Sequence, residues 1–303
     1  MLLTRDEGVT WYGWENFNYD PIANTLWSWG DNNQGMLGVN DVAARSSPIQ
    51  IGTGTDWSKL SKGGKESMGA INSDGELWVW GYNTNGGLGQ NNEVNYSSPI
   101  QIPGTTWSRT AHGADSGSRF AAVKTDGTLW VWGDNQWGEL GLNNTTYYSS
   151  PVQVPGTTWS STACNSRGTY GIKTDGTLWA WGRNWHGQLG LNNRTYYSSP
   201  VQIPGTTWST LGSPTTEFMS ALKTDGTLWG WGNGEKGQLG QNNTIRYSSP
   251  VQVGGDTTWV RHASGDKTTF GIKTDGTLWA MGYNSNGQLG LNNRTYYSSP
   301  VQI

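Results

Sequence analysis

The chain has 303 residues and a net charge of −3, and it combines 45 Gly and 20 Trp with only 14% charged residues. Average domains contain about 7% Gly and about 25% charged residues, so the composition is strongly biased. The chain has no Lys/Arg block for nucleic acid and no apolar run of about 20 residues for a membrane-spanning helix. Its one cysteine, Cys164, excludes an intramolecular disulfide.

The sequence is a repeat with three recurring strings. In chain order, each unit contains Thr-Trp, then Thr-Leu-Trp-x-Trp-Gly, then Gly-x-Leu-Gly followed by Ser-Ser-Pro. The glycines that close the second string are Gly30, Gly81, Gly133, Gly182, Gly232 and Gly282. A spacing of about 50 residues is typical of solenoids, propellers and arrays. We therefore expect one domain over residues 1–303, with six repeats and with residues 1–24 as a divergent start of the first.

Each unit predicts four strands. In the fifth unit, Asp225-Gly226 predicts a type I′ hairpin turn between a strand at residues 221–223 and a strand at residues 227–229. In the strand that follows, Trp229 and Trp231 share one face. Pro-Val-Gln alternates apolar and polar residues, which predicts a half-buried strand, and its proline favours an edge position. Thr-Thr-Trp predicts a further strand. Since no helical period is present, the fold class is all-β, and six four-stranded propeller blades fit better than a solenoid with shorter coils.

The string Leu-Lys-Thr-Asp-Gly-Thr-Leu-Trp-Ala-Trp-Gly-x-Asn-x-x-Gly-Gln-Leu-Gly resembles the repeat of the regulator-of-chromosome-condensation propellers. The resemblance extends over the chain from Trp11 onward, and the repeats look most like those of bacterial and phage members. It implies a propeller of this family's type. Members are typically seven-bladed closed rings, so six copies imply either a six-bladed ring or a different closure.

Two sets of loops differ between the repeats and are the candidate binding surface. Trp137 and Trp185 stand outside the repeat pattern, as does Trp14, and tryptophan is enriched among binding hot spots. An equally weighted alternative is that each of these side chains covers the edge of a neighbouring blade. From the loops before Gly-x-Leu-Gly we select Asn33, Gln34, Gln136, Trp137, Trp185, His186, Glu235 and Lys236.

The second loop set precedes the strand that leads to Asp-Gly. It comprises residues 62–66, 114–119, 165–169, 213–217 and 265–269. Its selected residues are Arg119, Arg167, Glu217 and Lys267. For these loops, neutral variation of exposed chain is the more favoured alternative.

Catalysis finds little support in the sequence. The three histidines lie in different repeats and outside any metal-binding motif, and no Gly-x-Ser-x-Gly elbow is present. Most of the repeated Asp residues belong to Asp-Gly turns, and no Cys/His cluster has zinc spacing. We predict no enzyme, no catalytic residue, no metal site and no cofactor.

The leading hypothesis is a non-catalytic module that binds other protein subunits or a surface receptor. A carbohydrate receptor with Trp137, Trp185 and Tyr side chains stacked on sugars is the alternative. Nucleotide exchange on a small GTPase and tryptophan-based ultraviolet sensing, both implied by the family resemblance, are less favoured. Because residues 1–6 show no apolar signal core, we expect a virion or another leaderless assembly, with the cytoplasm as a second possibility.

Overall fold

The computed structural model describes residues 24–61, 66–113, 119–212 and 217–303, with the backbone of residues 2–5 and 11–12. These residues form six four-stranded antiparallel sheets, one for each repeat, and one short 3-10 turn, Thr84–Gly86. The predicted all-β propeller architecture of six four-stranded blades is therefore confirmed. Trp14 and loop residues 62–65, 114–118 and 213–216 lie outside the described residues.

In sheets 2 to 6 the four strands follow one another in sequence order. Sheet 2 contains β5 (Trp57–Leu60), β6 (Ser67–Asn72), β7 (Leu77–Gly81) and β8 (Tyr96–Ile102). Sheet 3 contains β9 (Trp107–His112), β10 (Arg119–Lys124), β11 (Leu129–Gly133) and β12 (Tyr148–Gln153). Sheet 4 contains β13 (Trp159–Cys164), β14 (Gly168–Lys173), β15 (Leu178–Gly182) and β16 (Tyr197–Ile203).

Sheets 5 and 6 repeat this order. Sheet 5 contains β17 (Trp208–Leu211), β18 (Phe218–Lys223), β19 (Leu228–Gly232) and β20 (Tyr247–Gln252). Sheet 6 contains β21 (Trp259–Ser264), β22 (Thr268–Lys273), β23 (Leu278–Gly282) and β24 (Tyr297–Gln302). The Ser-Ser-Pro strand is an edge strand in each of these sheets, as its proline predicts.

Sheet 1 has a different order. Its strands are β1 (Leu2–Arg5), β2 (Trp11–Tyr12), β3 (Thr25–Gly30) and β4 (Arg45–Gln50), arranged as β2-β1-β3-β4. The strand that occupies the second position therefore comes before the Trp11 strand in the chain, whereas in every other sheet it comes after the corresponding tryptophan.

The Asp-Gly turns are hairpins, but the predicted turn type is wrong. Among the turn residues only the glycine has positive φ, which is +78° at Gly226, whereas a type I′ turn needs two such residues. The Gly226 N–H donates to the Lys223 carbonyl at 3.1 Å, and the Lys223 N–H donates to the Thr227 carbonyl at 3.0 Å. This is a type I turn followed by a left-handed glycine. The Asp225 carboxylate accepts the Thr227 N–H at 3.0 Å and stabilises the turn.

The hydrophobic core lies between sheets. One cluster joins Leu178 and Ile203 of sheet 4 to Trp208 and Trp231 of sheet 5, and all four are buried. Equivalent clusters join the other consecutive pairs from sheet 1 to sheet 6. Because buried aromatic side chains each remove about 150–250 Å² from water, these tryptophans supply most of the packing.

Each of these interfaces uses the same close approach of a side chain to a glycine. A Cβ added to Gly190 in sheet 4 would lie 2.9 Å from the indole nitrogen of Trp231 in sheet 5. That indole N–H donates to the Gln188 carbonyl at 2.7 Å. In the loop before the outer strand of sheet 4, the Asn192 N–H donates to the carbonyl of Ser248 in β20 at 2.7 Å. The glycine is thus required by the neighbouring sheet as well as by its own positive φ of +71°.

Lysines of the Lys-Thr-Asp-Gly turns cover the tryptophan pairs. The Lys223 ammonium lies 4.7 Å from the ring centre of Trp208 and 4.2 Å from that of Trp229. Lys124, Lys173 and Lys273 repeat the arrangement in their own sheets. Cation–π contacts of this kind each contribute about 0.5–1 kcal/mol at exposed sites.

The glycines of the Gly-x-Leu-Gly strings allow a matched test of the interfaces. Gly187 and Gly287 have nearly equal φ, +78° and +80°. A Cβ on Gly187 would lie 2.6 Å from the Ser248 backbone of sheet 5, whereas a Cβ on Gly287 meets nothing within 4 Å. We expect Gly287→Ala to cost about 1 kcal/mol of unfolding free energy and Gly187→Ala about 2–4 kcal/mol. Equal losses in denaturant titrations of the two variants would show that the close approach does not stabilise the fold.

Candidate binding site

The two variable loop sets meet at one end of the sheets. Gly182, the last residue of β15, pairs with Gly168, the first of β14, and Gly232 pairs with Phe218 in the same way. The Arg183 N–H also donates to the Arg167 carbonyl at 2.7 Å. The Asp-Gly turns occupy the opposite end of the same strands. Loops that vary between repeats are therefore gathered on one surface.

The centre of this surface is an arginine between two tryptophans. The Arg183 guanidinium carbon lies 5.6 Å from the ring centre of Trp137 and 5.0 Å from that of Trp185. Trp137 in turn meets Tyr196 edge to face, at 5.4 Å between ring centres and 89° between planes. We call Trp137, Arg183, Trp185 and Tyr196 the aromatic ridge. It joins sheets 3 and 4 and brings both described non-periodic tryptophans together.

The two tryptophans of the ridge have different environments. Trp137 is partly buried because it covers Tyr196 of the next sheet, which is the edge-covering alternative considered for it. Trp185 is 57% exposed, and within the part of the chain that the structure describes its ring contact is the one with Arg183. Trp185 therefore supplies an exposed aromatic surface, and Trp137 holds the arginine beside it.

Most charged side chains around the ridge are already paired. The Arg167 guanidinium lies 3.4 Å from the Asp134 carboxylate, and Arg246 pairs with Glu235. His186 Nε2 lies 3.2 Å from Glu217, although burial lowers the pKa of His186. Glu217 also accepts a hydrogen bond from Asn233 at 2.6 Å. The Arg167–Asp134 and His186–Glu217 contacts join the loops of neighbouring sheets, whereas Arg246 and Glu235 both belong to sheet 5.

Arg183 differs from these neighbours. Among the described residues, no carboxylate oxygen lies within 4.0 Å of its side-chain nitrogens, and its buried Nε has no hydrogen-bond partner. The equivalent positions in the adjacent repeats are Asp134 and Asn233. The side chain is a cation held between two aromatic rings and available to an acceptor from outside.

The remaining selected residues are spread along the same surface. Lys236 lies 5.7 Å from the ring centre of Tyr296, and Lys267 lies 6.0 Å from that of Tyr283 and 3.8 Å from Asp266. Gln136 and Asn33 are exposed, whereas Gln34 accepts a hydrogen bond from Asn95 of sheet 2 at 2.9 Å. Gln34 and Asn33 belong to sheet 1 and do not join the ridge.

Arg119 is placed in the interior and not on the loop surface. It is 1% exposed, and it donates to the Asn165 carbonyl of sheet 4 at 2.7 Å. It also lies 3.8 Å from Glu139, which is fully buried and whose carboxyl pKa burial raises. Glu139 was not selected from the sequence, although it takes the place of Gln188 and Gln238 in the Gly-x-Leu-Gly string. Arg119 and Glu139 both belong to sheet 3, and the hydrogen bond from Arg119 to Asn165 joins this sheet to sheet 4.

Groups that carry out catalysis elsewhere are dispersed or buried here. His112 is buried, bonds to Ser67 at 2.6 Å and has a pKa lowered to about 3, first by burial and then by the charge of Arg119. Cys164 is buried, and burial raises the pKa of its thiol. Within the described ranges, no group of three or more His, Cys, Asp and Glu is placed to hold a metal ion. The same ranges contain no helix suited to crossing a membrane.

A protein-family comparison settles the relationship. The model of the regulator of chromosome condensation (RCC1) repeat matches residues 74–123, 126–169, 175–210, 225–272 and 275–303, and a second RCC1 repeat model matches residues 259–288. These segments cover more than half of the chain. The chain belongs to the RCC1 repeat family.

Curated RCC1-repeat relatives match parts of the chain. The mitochondrial RCC1 domain-containing protein RUG3 of Arabidopsis thaliana is 31% identical over 43% of this chain and 29% of its own length. The ultraviolet-B receptor UVR8 of the same plant is 32% identical over 39% of this chain and 27% of its own length. The human E3 ubiquitin-protein ligase HERC2 is 28% identical over 48% of this chain and 3% of its own length. The matched segments thus span less than a third of these relatives.

Solved structures of RCC1-type propellers share the fold. Human WBSCR16 aligns with a TM-score of 0.79 at 19% identity, over 92% of this chain and 78% of its own. Prp20p of Saccharomyces cerevisiae aligns with a TM-score of 0.80 at 18% identity, over 92% of this chain and 72% of its own. At these identities the likeness concerns the arrangement of the sheets.

Because the pKa of buried His112 is about 3, we expect stability to depend on this residue in acid. The unfolded chain binds a proton below about pH 6.5 and the folded one only near pH 3, so stability falls as the pH falls between these values. The total loss from this group is on the order of 5 kcal/mol. Burial raises the pKa of Glu139, so this residue lowers stability as the pH rises above the pKa that it has in the unfolded chain.

His112→Gln isolates this contribution, since Glu139 is unchanged in the variant. Melting temperatures measured from pH 7 to pH 4 are expected to fall less steeply for His112→Gln than for the parent chain. Parallel curves would rule out a buried neutral histidine at this position.

Proposed function

We propose that this RCC1-family chain is a non-catalytic binding module that holds a protein partner on the aromatic ridge. The observation that carries the proposal is Arg183, an unpaired cation between Trp137 and the exposed ring of Trp185. Tryptophan and arginine are the residue types that most often dominate binding energy at protein interfaces. Their combination at one exposed position supports a binding role for this end of the sheets.

The arginine indicates the chemistry of the partner. A guanidinium held by flanking rings is oriented before binding, so it loses little conformational freedom when it accepts a planar anion. A carboxylate on the partner matches this geometry through paired N–H donors. The exposed face of Trp185 offers an adjacent apolar contact. A segment with Asp or Glu next to an apolar or aromatic side chain therefore fits the ridge.

The fold supports a scaffold role for the rest of the molecule. Loops on rigid sheets commonly carry binding residues, and here the Arg167–Asp134 ion pair and the His186–Glu217 contact fix the loops beside the ridge. Prp20p, which shares this fold, has been characterised for its binding to Gsp1p and histones. We propose a subunit of a virion or another surface assembly as the setting for such a partner, as the polar Asn- and Ser-rich loops favour.

Carbohydrate binding is the second candidate, and the exposed ring of Trp185 is the observation that favours it. Sugar rings stack on open tryptophan faces, and neutral sugars need no arginine. The two functions therefore differ in their dependence on Arg183.

The test uses the purified chain on an array of 15-residue peptides in which Asp and Glu, or Asn and Gln, flank a Tyr, Trp or Leu. We expect selective binding of the acidic peptides. Trp185→Ala and Arg183→Ala are each expected to weaken it about 10- to 100-fold, since hot-spot truncations cost about 2 kcal/mol or more. Arg183→Lys keeps the charge but loses the fork of donors, so its loss is expected to be intermediate.

Arg194→Ala is the matched control, because Arg194 is an exposed arginine of the same repeat outside the ridge. It is expected to bind as the parent chain does. Equal binding of acidic and amide peptides, or acidic-peptide binding that survives both Trp185→Ala and Arg183→Ala, would contradict the proposal. Glycan-array binding that needs Trp185 but not Arg183 would favour the carbohydrate alternative.

A further inference from the structure

A second group of polar side chains lies between sheets 5 and 6, at the end of the sheets that carries the variable loops. One member belongs to a loop of sheet 5, and the other four belong to sheet 6 or to the loop that leads into it. We call this group the lysine–tyrosine cluster. Its members are Lys236, Lys267, Tyr283, Ser285 and Tyr296.

The lysine–tyrosine cluster is the counterpart of the aromatic ridge in another pair of sheets. Within the repeat, Lys236 takes the position of Trp137, and Tyr283 takes the position of Arg183. The ridge presents one guanidinium between two indole rings, whereas the cluster presents ammonium and hydroxyl groups around two phenol rings. The two surfaces therefore suit different ligands.

The two tyrosine rings bring the polar groups of the cluster together. The ring centres of Tyr283 and Tyr296 are 4.9 Å apart, with 50° between the ring planes. The Lys236 ammonium lies 5.7 Å from the ring centre of Tyr296, and the Lys267 ammonium lies 6.0 Å from that of Tyr283. Hydrogen bonds with the side chains of Ser285 and then Tyr296 lower the pKa of Tyr283, and both lysine charges act in the same direction. Three hydroxyl and two ammonium groups thus lie close to one another.

The backbone fixes the two loops that carry the lysines. The Tyr283 N–H donates to the Lys267 carbonyl at 2.9 Å. A Cβ on Gly237 would lie 2.6 Å from the Cα of Ser298 on the outer strand of sheet 6, so the loop that carries Lys236 lies directly against that sheet. Donors whose backbone is fixed before binding lose little conformational freedom when a ligand arrives.

Positive charge exceeds negative charge in the cluster. Within the parts of the chain that the structure describes, no carboxylate oxygen lies within 4.0 Å of the Lys236 ammonium. Lys267 lies 3.8 Å from Asp266, but the side chain of Asp266 is 70% exposed, and exposed ion pairs are weak. Glu235, the neighbour of Lys236 in the chain, pairs with Arg246. Both ammonium groups can therefore attract an anion.

We propose that the lysine–tyrosine cluster binds a phosphate monoester. An ammonium is a point charge with rotatable donors, so two of them suit a tetrahedral anion, whereas the guanidinium of the ridge suits a planar carboxylate. A phosphate monoester carries about −1.5 to −2 charges at pH 7 and three strong acceptor oxygens. The two ammonium groups match this charge, and the hydroxyls of Tyr283, Ser285 and Tyr296 match the acceptors. A phosphorylated protein side chain and a small phosphorylated molecule both present this group.

The test titrates the full chain into a labelled Gly- and Ser-rich peptide with one phosphotyrosine and follows fluorescence anisotropy. We expect the unphosphorylated peptide to bind at least about tenfold more weakly. Lys236→Gln and Lys267→Gln keep part of the aliphatic stem but remove the charge, and each is expected to weaken phosphopeptide binding about tenfold. Tyr283→Phe keeps the ring and removes one donor, so its loss is expected to be about three- to tenfold.

Two variants serve as controls, and melting temperatures equal to that of the parent chain show that all variants fold. Arg194→Ala removes an exposed cation outside both surfaces, and Arg183→Ala alters the aromatic ridge. Both are expected to bind the phosphopeptide as the parent chain does. Phosphopeptide binding that persists when Lys236 and Lys267 are both Gln, or that is lost in Arg183→Ala, overturns the proposal.

Phenyl phosphate identifies the source of the phosphate group. Weaker binding of phenyl phosphate than of the phosphopeptide assigns the ester to a protein partner, and equal binding assigns it to a small molecule. Both results support the site, whereas binding of neither probe contradicts it. The acidic peptides that test the aromatic ridge carry no phosphate, so the failure of one site leaves the other measurable.

Discussion

The fold depends on the contact between a tryptophan of one sheet and a glycine of the sheet before it. Trp231 lies so close to Gly190 that a Cβ at this position would displace the ring. The indole N–H of Trp231 donates to a carbonyl of the same string as Gly190. This contact fixes the distance between sheets, and the apolar clusters fill the space that it defines. The bias of the composition follows from it, since four of the five interfaces between consecutive sheets pair the largest side chain with the smallest residue.

The repeated features of the fold were predictable from sequence because each recurs with its reason visible. The Trp-x-Trp string predicted a strand, and Asp-Gly predicted a hairpin. The predicted turn type was wrong because Asp-Gly is compatible with two hairpins that differ in loop length. The backbone hydrogen bonds of Lys223 decide between them, and these cannot be read from the two turn residues alone. The order of sheet 1 was missed because its first strand carries none of the repeat strings.

The candidate site was predictable only in part. The break in periodicity identified Trp137 and Trp185, but not that their rings flank Arg183. The position of Arg183 holds Asp, Tyr or Asn in the five other repeats. Nor did sequence alone separate the two tryptophans. They differ by one position relative to the following glycine, and that offset directs Trp137 onto the next sheet and leaves Trp185 exposed. Arg119 was selected for its charge, yet its length lets it reach carbonyls inside the neighbouring sheet.

The near-identity of the interfaces has a consequence for how such a chain changes over generations. Because each sheet meets its neighbours through the same contacts, duplication or loss of one 50-residue unit creates a junction equivalent to those already present. Copy number can thus change in a single genetic event without a compensating substitution. Sheet 6 shows the tolerance of one junction, since Met281 replaces the tryptophan and still packs over Gly240. Selection on the number of sheets and selection on the loops can then proceed separately.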